Sequence, residues 1–240
     1  MDTYSLFEYV LELVQESSIE LIKIYKKKGT KKTTLIFPKK RDDKIRISEQ
    51  DLRFVFTSLH GKFSHPNLSF SVETPTEKEY SFSGKGERSA SSDLSFYHEG
   101  EKVLNIEFKA HNPEQKSIDK DIEKLMSEPH RGAWVHIFKN EDSGTVKKLF
   151  EKFNDAIKKI PKSEKPISFH ILILNTGTLL SRKGKKDETD YSNIFNIEYS
   201  QWEKLDRPGK YFFYNGHNVT ENDSVLDSDW IIDKFRINEL

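Results

Sequence analysis

Two short runs constrain most strongly what this chain can fold into. Residues 90–97 carry Leu94, Phe96 and Tyr97, and residues 102–110 carry Val103, Leu104, Ile106 and Phe108. Only His98, Glu99, Gly100 and Glu101 stand between them. Strand-length runs joined so closely pair as an antiparallel β-hairpin. A four-residue loop sets Tyr97 opposite Lys102, Phe96 opposite Val103 and Asp93 opposite Ile106. A shift of one position, or a single bulge, sets Asp93 opposite Glu107 instead. Either way two carboxylates reach the same height on neighbouring strands, where opposed Cβ atoms lie about 4.5–5.5 Å apart. Glu107 and Lys109 are two apart on one strand and so share a face.

That arrangement carries an electrostatic cost. Ile106 and Phe108 flank Glu107, in a strand built for burial. A buried carboxylate is expensive, and two side by side are worse. Lys109 supplies one positive charge for two acids. A hard divalent ion satisfies the remainder, and Mg²⁺ favours few carboxylates together with water and substrate phosphate. Such an ion activates water and stabilises negative charge on phosphorus. A neighbouring lysine orients that water or helps to deprotonate it. Asp93, Glu107 and Lys109 therefore suffice for metal-assisted phosphodiester hydrolysis. The plain alternative is a cross-strand ion pair on an exposed face.

The rest of the chain frames the hairpin. Leu6, Phe7, Val10, Leu11, Val14, Leu21 and Ile22 predict a long amphipathic helix over 4–25. Residues 33–37 read as a short strand stopped by Pro38. Ser48 opens a second helix, with Asp51 as a weak capping box. Residues 68–72 alternate as a half-buried strand, residues 80–83 read as another, and residues 84–89 as a turn. After the hairpin come a helix over 117–126, a strand over 132–138, an amphipathic helix over 144–160 and a fully buried strand over 169–174. His136 and His170 lie inside apolar strands and read as core histidines. Asp121 and Lys124 read as a local helix pair, with Lys120 and Lys124 on a polar face. Beyond Thr176 the pattern weakens: a charged loop over 181–190, strands at 195–199 and 211–214, and an acidic end anchored by Trp230, Ile231 and Ile232. Helices interleaved with strands predict an α/β fold, a mixed central sheet flanked by helices. The predicted division is an N-terminal helix and basic segment packed on the core (1–47), a core (48–176), and a C-terminal extension for specificity or assembly (177–240).

Composition removes several function classes. With no cysteine, disulfide scaffolds, cysteine-ligated zinc, iron–sulfur clusters and thiol catalysis are out. No phosphate-binding glycine loop or serine-hydrolase elbow occurs. No apolar stretch reaches the ~20 residues of a membrane span, and the first residues do not read as a signal peptide. The expectation is a soluble, cytoplasmic protein with no membrane partner. Net charge is zero overall, yet residues 20–46 hold eleven Lys or Arg against three acids, and residues 187–240 hold twelve acids against five Lys or Arg. A phosphate-binding face fits the first of these segments.

Asp93, thirteen intervening residues, then Ile106-Glu107-Phe108-Lys109 resembles the PD-(D/E)xK nuclease superfamily, across about residues 48–174. Ser92 stands where the motif has proline, which many members lack. The resemblance implies a restriction-endonuclease-like fold and a Mg²⁺-dependent endonuclease acting on DNA (Mn²⁺ substituting), in a restriction or defence setting. It implies that Asp93 and Glu107 bind the metal, with the Phe108 carbonyl as a backbone ligand. It implies that Lys109 positions or activates the attacking water. Glu49 matches an auxiliary acid on the preceding helix, although an acid in a first turn is favoured by the helix dipole anyway. Lys85 and Arg88, before the Asp93 strand, and His111, just past Lys109, are candidate nucleic-acid contacts, or plain solvated residues. Cutting both strands implies a homodimer, or a recognition or methyltransferase partner. The competing readings are an inactive nuclease-fold subunit that binds nucleic acid or assembles a complex, and a metal-free interaction domain.

Overall fold

Burial begins with the spacing of apolar residues on the first two helices. The computed structural model describes residues 3–26, 35–42, 44–63, 67–81, 86–140, 143–160, 167–184, 209–214, 217–220 and 230–236. Helix α1 (Thr3–Lys26) buries Leu6, Val10, Leu13, Val14, Leu21 and Ile22 along one side. Helix α2 (Glu49–Phe63) starts at a reciprocal cap. Ser48 N–H and Oγ–H both donate to Asp51 Oδ2 at 2.8 Å, and Asp51 N–H points back to Ser48 Oγ at 3.4 Å. That is the capping-box geometry with aspartate in place of glutamate. The expected strand at 33–37 does not form over residues 35–37, and 33–34 lie outside the described residues. The chain reverses instead between Pro38 and Arg46, closed by Arg46 N–H to the Pro38 carbonyl at 2.7 Å.

Strand β1 (Leu68–Tyr80) runs on past the strand expected at 68–72; of the strand expected at 80–83 it holds only Tyr80, Ser81 lies outside it, and 82–83 lie outside the described residues. Its register slips between Pro75 and Glu79, which breaks the sequence alternation. The slip is tolerated because β1 is an edge strand, where proline removes no ladder bond on the open side. The buried Glu128 carboxylate also accepts the Glu77 and Lys78 N–H groups and the Tyr80 hydroxyl. Strands β2 (Arg88–His98) and β3 (Glu101–Ala110) form the hairpin. His98 pairs with Glu101, so the turn has two residues rather than four. Glu99 and Gly100 have φ of 54° and 87°, as a type I′ turn needs.

The described strands form one nine-stranded sheet in the order β1-β2-β3-β4-β5-β6-β9-β7-β8. Strands β3, β4 (Arg131–Phe138) and β5 (Ile167–Ile173) are parallel. Their crossovers are α3 (Gln115–Ser127) and α4 (Ser143–Lys158). The remaining strands, β6 (Thr178–Arg182), β7 (Gly209–Tyr214), β8 (His217–Thr220) and β9 (Trp230–Lys234), pair antiparallel. The architecture is thus α/β, an open mixed sheet with helices on both faces. Leu94, Phe96, Leu104, Ile106 and Phe108 pack under α1 and α2. Trp134, Phe169 and Ile171 pack under α3 and α4.

The sheet does not stop at residue 176. Strand β9 inserts between β6 and β7 and buries Trp230, Ile231 and Ile232. Ser181 and Arg182, expected in a charged loop, are buried in β6 because β5 and β9 pair on its two sides. The strand expected at 195–199 lies outside the described residues. Among the described residues no helix is long and apolar enough to cross a membrane.

Candidate functional site

The hairpin register assembles the site. Phe96 pairs with Leu104 and Tyr97 with Lys102, so Val103 is the extra residue of a bulge. Above the bulge Leu94 pairs with Ile106, and one further step sets Asp93 opposite Glu107. The regular four-residue-loop register is thus replaced by the bulged one, and side-chain alternation sends Asp93, Glu107 and Lys109 to one face. One step below, Ser95 Oγ–H donates to Asn105 Oδ1 at 2.7 Å on the same face. The backbone ladder of β2 and β3 ends at Leu94 and Ile106. Beyond it, Phe108 N–H donates to Asp93 Oδ2 at 2.7 Å. In a strand the N–H and C=O of one residue point the same way, so the Phe108 carbonyl also faces the Asp93 side.

The face turns toward α3, where the expected local pair of Asp121 and Lys124 forms but the polar face expected for Lys124 does not. Both side chains are buried, because Asp121 lies three residues after Ile118 and four before Leu125 on the inward stripe. Gly132 helps to bring that helix close: a Cβ there would meet Leu125 Cβ at 3.0 Å. Lys124 does pair with Asp121, at 3.0 Å. It also reaches Glu107 Oε1 at 2.7 Å and the Ser91 carbonyl at 2.8 Å. Lys109 is held by Asp121 Oδ2 at 2.8 Å. The result is an alternating chain, Lys109–Asp121–Lys124–Glu107. Sequence periodicity contained the signal, an acid on an apolar helical stripe, but pointed to no partner.

Glu49 is half-buried at the start of α2, within electrostatic reach of Lys109, Asp93 and Asp121. Its position is braced from the other side of the site. Trp134 Nε1–H points to His136 Nδ1 at 3.4 Å, which leaves the His136 Nε2 proton for the His111 carbonyl at 2.7 Å. His111 Nε2 in turn meets the Ile47 carbonyl at 2.6 Å. The His111 ring, expected at nucleic acid, therefore ties the end of β3 to the segment leading into α2. Arg88 is exposed, five residues before Asp93 and so on the opposite face of β2. Lys85 lies outside the described residues.

Four carboxylates, Glu49, Asp93, Glu107 and Asp121, thus surround two ammonium groups. Burial, then the charges of Asp121 and Asp93, push the Glu107 carboxyl well above the ordinary range, against the pull of Lys124. Burial also raises Asp93 and Glu49, although the Phe108 N–H opposes it at Asp93 and Lys109 opposes it at Glu49. Burial works against the charge on both lysines. The carboxylates nonetheless hold them above the ordinary lysine value, with Asp121 foremost for Lys109 and Glu107 foremost for Lys124. This pattern marks a surplus of negative charge, carried either by protons or by a cation.

Among the described residues no three His, Asp or Glu side chains group as a ready metal cage. The donor set that the geometry offers is smaller: Asp93, Glu107 and the Phe108 carbonyl. The hydrogen bonds above engage one oxygen of each carboxylate. Such all-oxygen sets, with few carboxylates, are what Mg²⁺ accepts, so the residues fit the ion in type and charge. Asp93, Lys109 and Glu49 are partly exposed, whereas Glu107 and Lys124 lie beneath them with side chains 1% and 3% exposed. No protein-family model, curated protein or solved structure matches the chain.

Proposed function

We propose that the chain is a divalent-metal-dependent endonuclease that hydrolyses phosphodiester bonds of DNA, on a restriction-endonuclease-like fold. One observation carries this reading: Asp93, Glu107 and Lys109 converge on one face, with Asp93 pinned to the Phe108 amide at 2.7 Å. Asp93, Glu107 and the Phe108 carbonyl would hold the ion. A divalent cation there supplies Lewis-acid polarisation of a phosphate oxygen and neutralises charge. Lys109 keeps its proton among the carboxylates, so it orients the attacking water and stabilises negative charge on the phosphate. Glu49, within electrostatic reach of Lys109 and Asp93, serves as an auxiliary acid. A new P–O bond forms from water, and the bond to the departing oxygen, which takes up a proton, breaks.

The test is conversion of supercoiled plasmid DNA with millimolar Mg²⁺ or Mn²⁺. The expected result is nicking or linearisation that a chelator abolishes. Asp93→Ala and Lys109→Ala should each lower it by about 10²–10³-fold. No cleavage of duplex or single-stranded DNA with either ion would overturn the reading. The buried ion pairs on the floor of the site favour a second one, an inactive nuclease-fold subunit that binds nucleic acid or assembles a complex. DNA retention without cleavage under any metal would select it.

A further inference from the structure

The Lys124 ammonium sits in a cage of three oxygens. Glu107 Oε1 lies at 2.7 Å, the Ser91 carbonyl at 2.8 Å and Asp121 Oδ1 at 3.0 Å. They come from β3, β2 and α3, and they match the three N–H donors of an ammonium group. The side chain is 3% exposed, so this is no surface pairing. All three acceptors are hard oxygens and two are carboxylates, the set that hard divalent ions also take. Glu107 is common to this cage and to the Asp93 site, as a carboxylate bridging two cations would be. Two-metal phosphodiesterases place their ions about 3.5–4 Å apart, a spacing that one shared carboxylate can span.

We propose that Lys124 is the resident second cation of this site: its ammonium fills an oxygen cage that would otherwise take a second divalent ion. The protein then binds one metal ion where a two-metal enzyme binds two. The count of one rests on the nuclease reading, whereas the occupied cage does not depend on it. The lysine reaches the cage from a helix packed under the hairpin, so it cannot be washed out or exchanged as an ion can. It fixes one oxygen of Glu107 and leaves the other for the Asp93 side.

The experiment is calorimetric titration of MnCl₂ into the full chain and into Lys124→Met, with melting temperature followed in parallel. Wild type should take up one ion per chain and Lys124→Met two. At a hundredfold excess over Kd, the additional ion should raise the melting temperature of the variant by roughly 5–10 °C beyond any rise in wild type. Lys124→Arg, which keeps the charge, should retain the wild-type count. If wild type binds no ion and Lys124→Met binds one, the nuclease reading fails and the resident cation stands. An unchanged ion count in Lys124→Met, with no additional thermal shift, overturns the proposal. If Lys124→Met does not fold alone, circular dichroism with MnCl₂ should show its fold restored. Failure of both Lys124→Met and Lys124→Gln to recover with the metal also overturns it.

Discussion

His136 and His170 are fully buried, and burial lowers both to about 3. His170 bonds only to hydroxyls among its described partners, Ser181 Oγ at 3.0 Å and Ser168 Oγ at 3.2 Å. A histidine near 6.5 when unfolded but near 3 when folded takes up its proton mainly in the unfolded chain. Stability is therefore whole above pH 6.5 and falls as pH drops from there toward 3. At pH 5 the loss is about 2 kcal/mol per histidine. The raised Glu107, Asp93 and Glu49 carboxyls act with the opposite sign, so only a difference between variants isolates the effect. His170→Phe should lose about 2 kcal/mol less than wild type between pH 7 and pH 5, measured by urea unfolding at each pH. An equal loss would mean that His170 can be protonated in place.

At the scale of elements, the hairpin turn carries the most leverage. Glu99 adopts φ 54° without being glycine or asparagine, an unfavourable backbone region for a residue with a Cβ. Asn–Gly is the pair that a type I′ turn prefers. Glu99→Asn should therefore raise stability by about 0.5–1 kcal/mol, seen as a higher denaturant midpoint at unchanged slope. No shift would show that the turn is held by its strands and not by its own residues. The same hairpin shows where reading from sequence ran out. The strands and the shared face of Glu107 and Lys109 follow from alternation, whereas the four-residue loop expected between them is a two-residue turn. The choice between Asp93 opposite Ile106 and Asp93 opposite Glu107 does not, because a bulge leaves hardly any mark in composition. Val103 is the extra residue only in the pairing of β3 with β2, a property of the pair.

At the scale of the molecule, the described strands after residue 176, β6 to β9, belong to the same sheet as the strands before it. Strand β9 covers Phe150 with Trp230, their rings 5.6 Å apart, and lies on Leu180 through Ile232. Gln15 of α1 also donates to Asp233 Oδ2 at 2.7 Å. A chain ended at residue 226 loses an interior strand, and β6 is left with an open edge. It should lose cooperative unfolding or precipitate, read by circular dichroism melting and by light scattering. A soluble truncation with the wild-type melting temperature would show 177–240 to be separable after all.

The sequence alone determined the alternation of helices and strands, the apolar faces, the buried histidines and the candidacy of Asp93, Glu107 and Lys109. Each of these depends on residues near one another along the chain, where 3.6-residue and 2-residue periods operate. Tertiary structure decided what α3 contributes and how the last strands join. Whether Lys124 meets solvent or Glu107 depends on the depth at which a helix seats against a hairpin, and no local period encodes that distance. The bulge, Asp121 as the holder of Lys109, and the insertion of β9 between β6 and β7 share that cause. Each is a contact between segments far apart in the chain, selected by packing and by the need to neutralise buried charge.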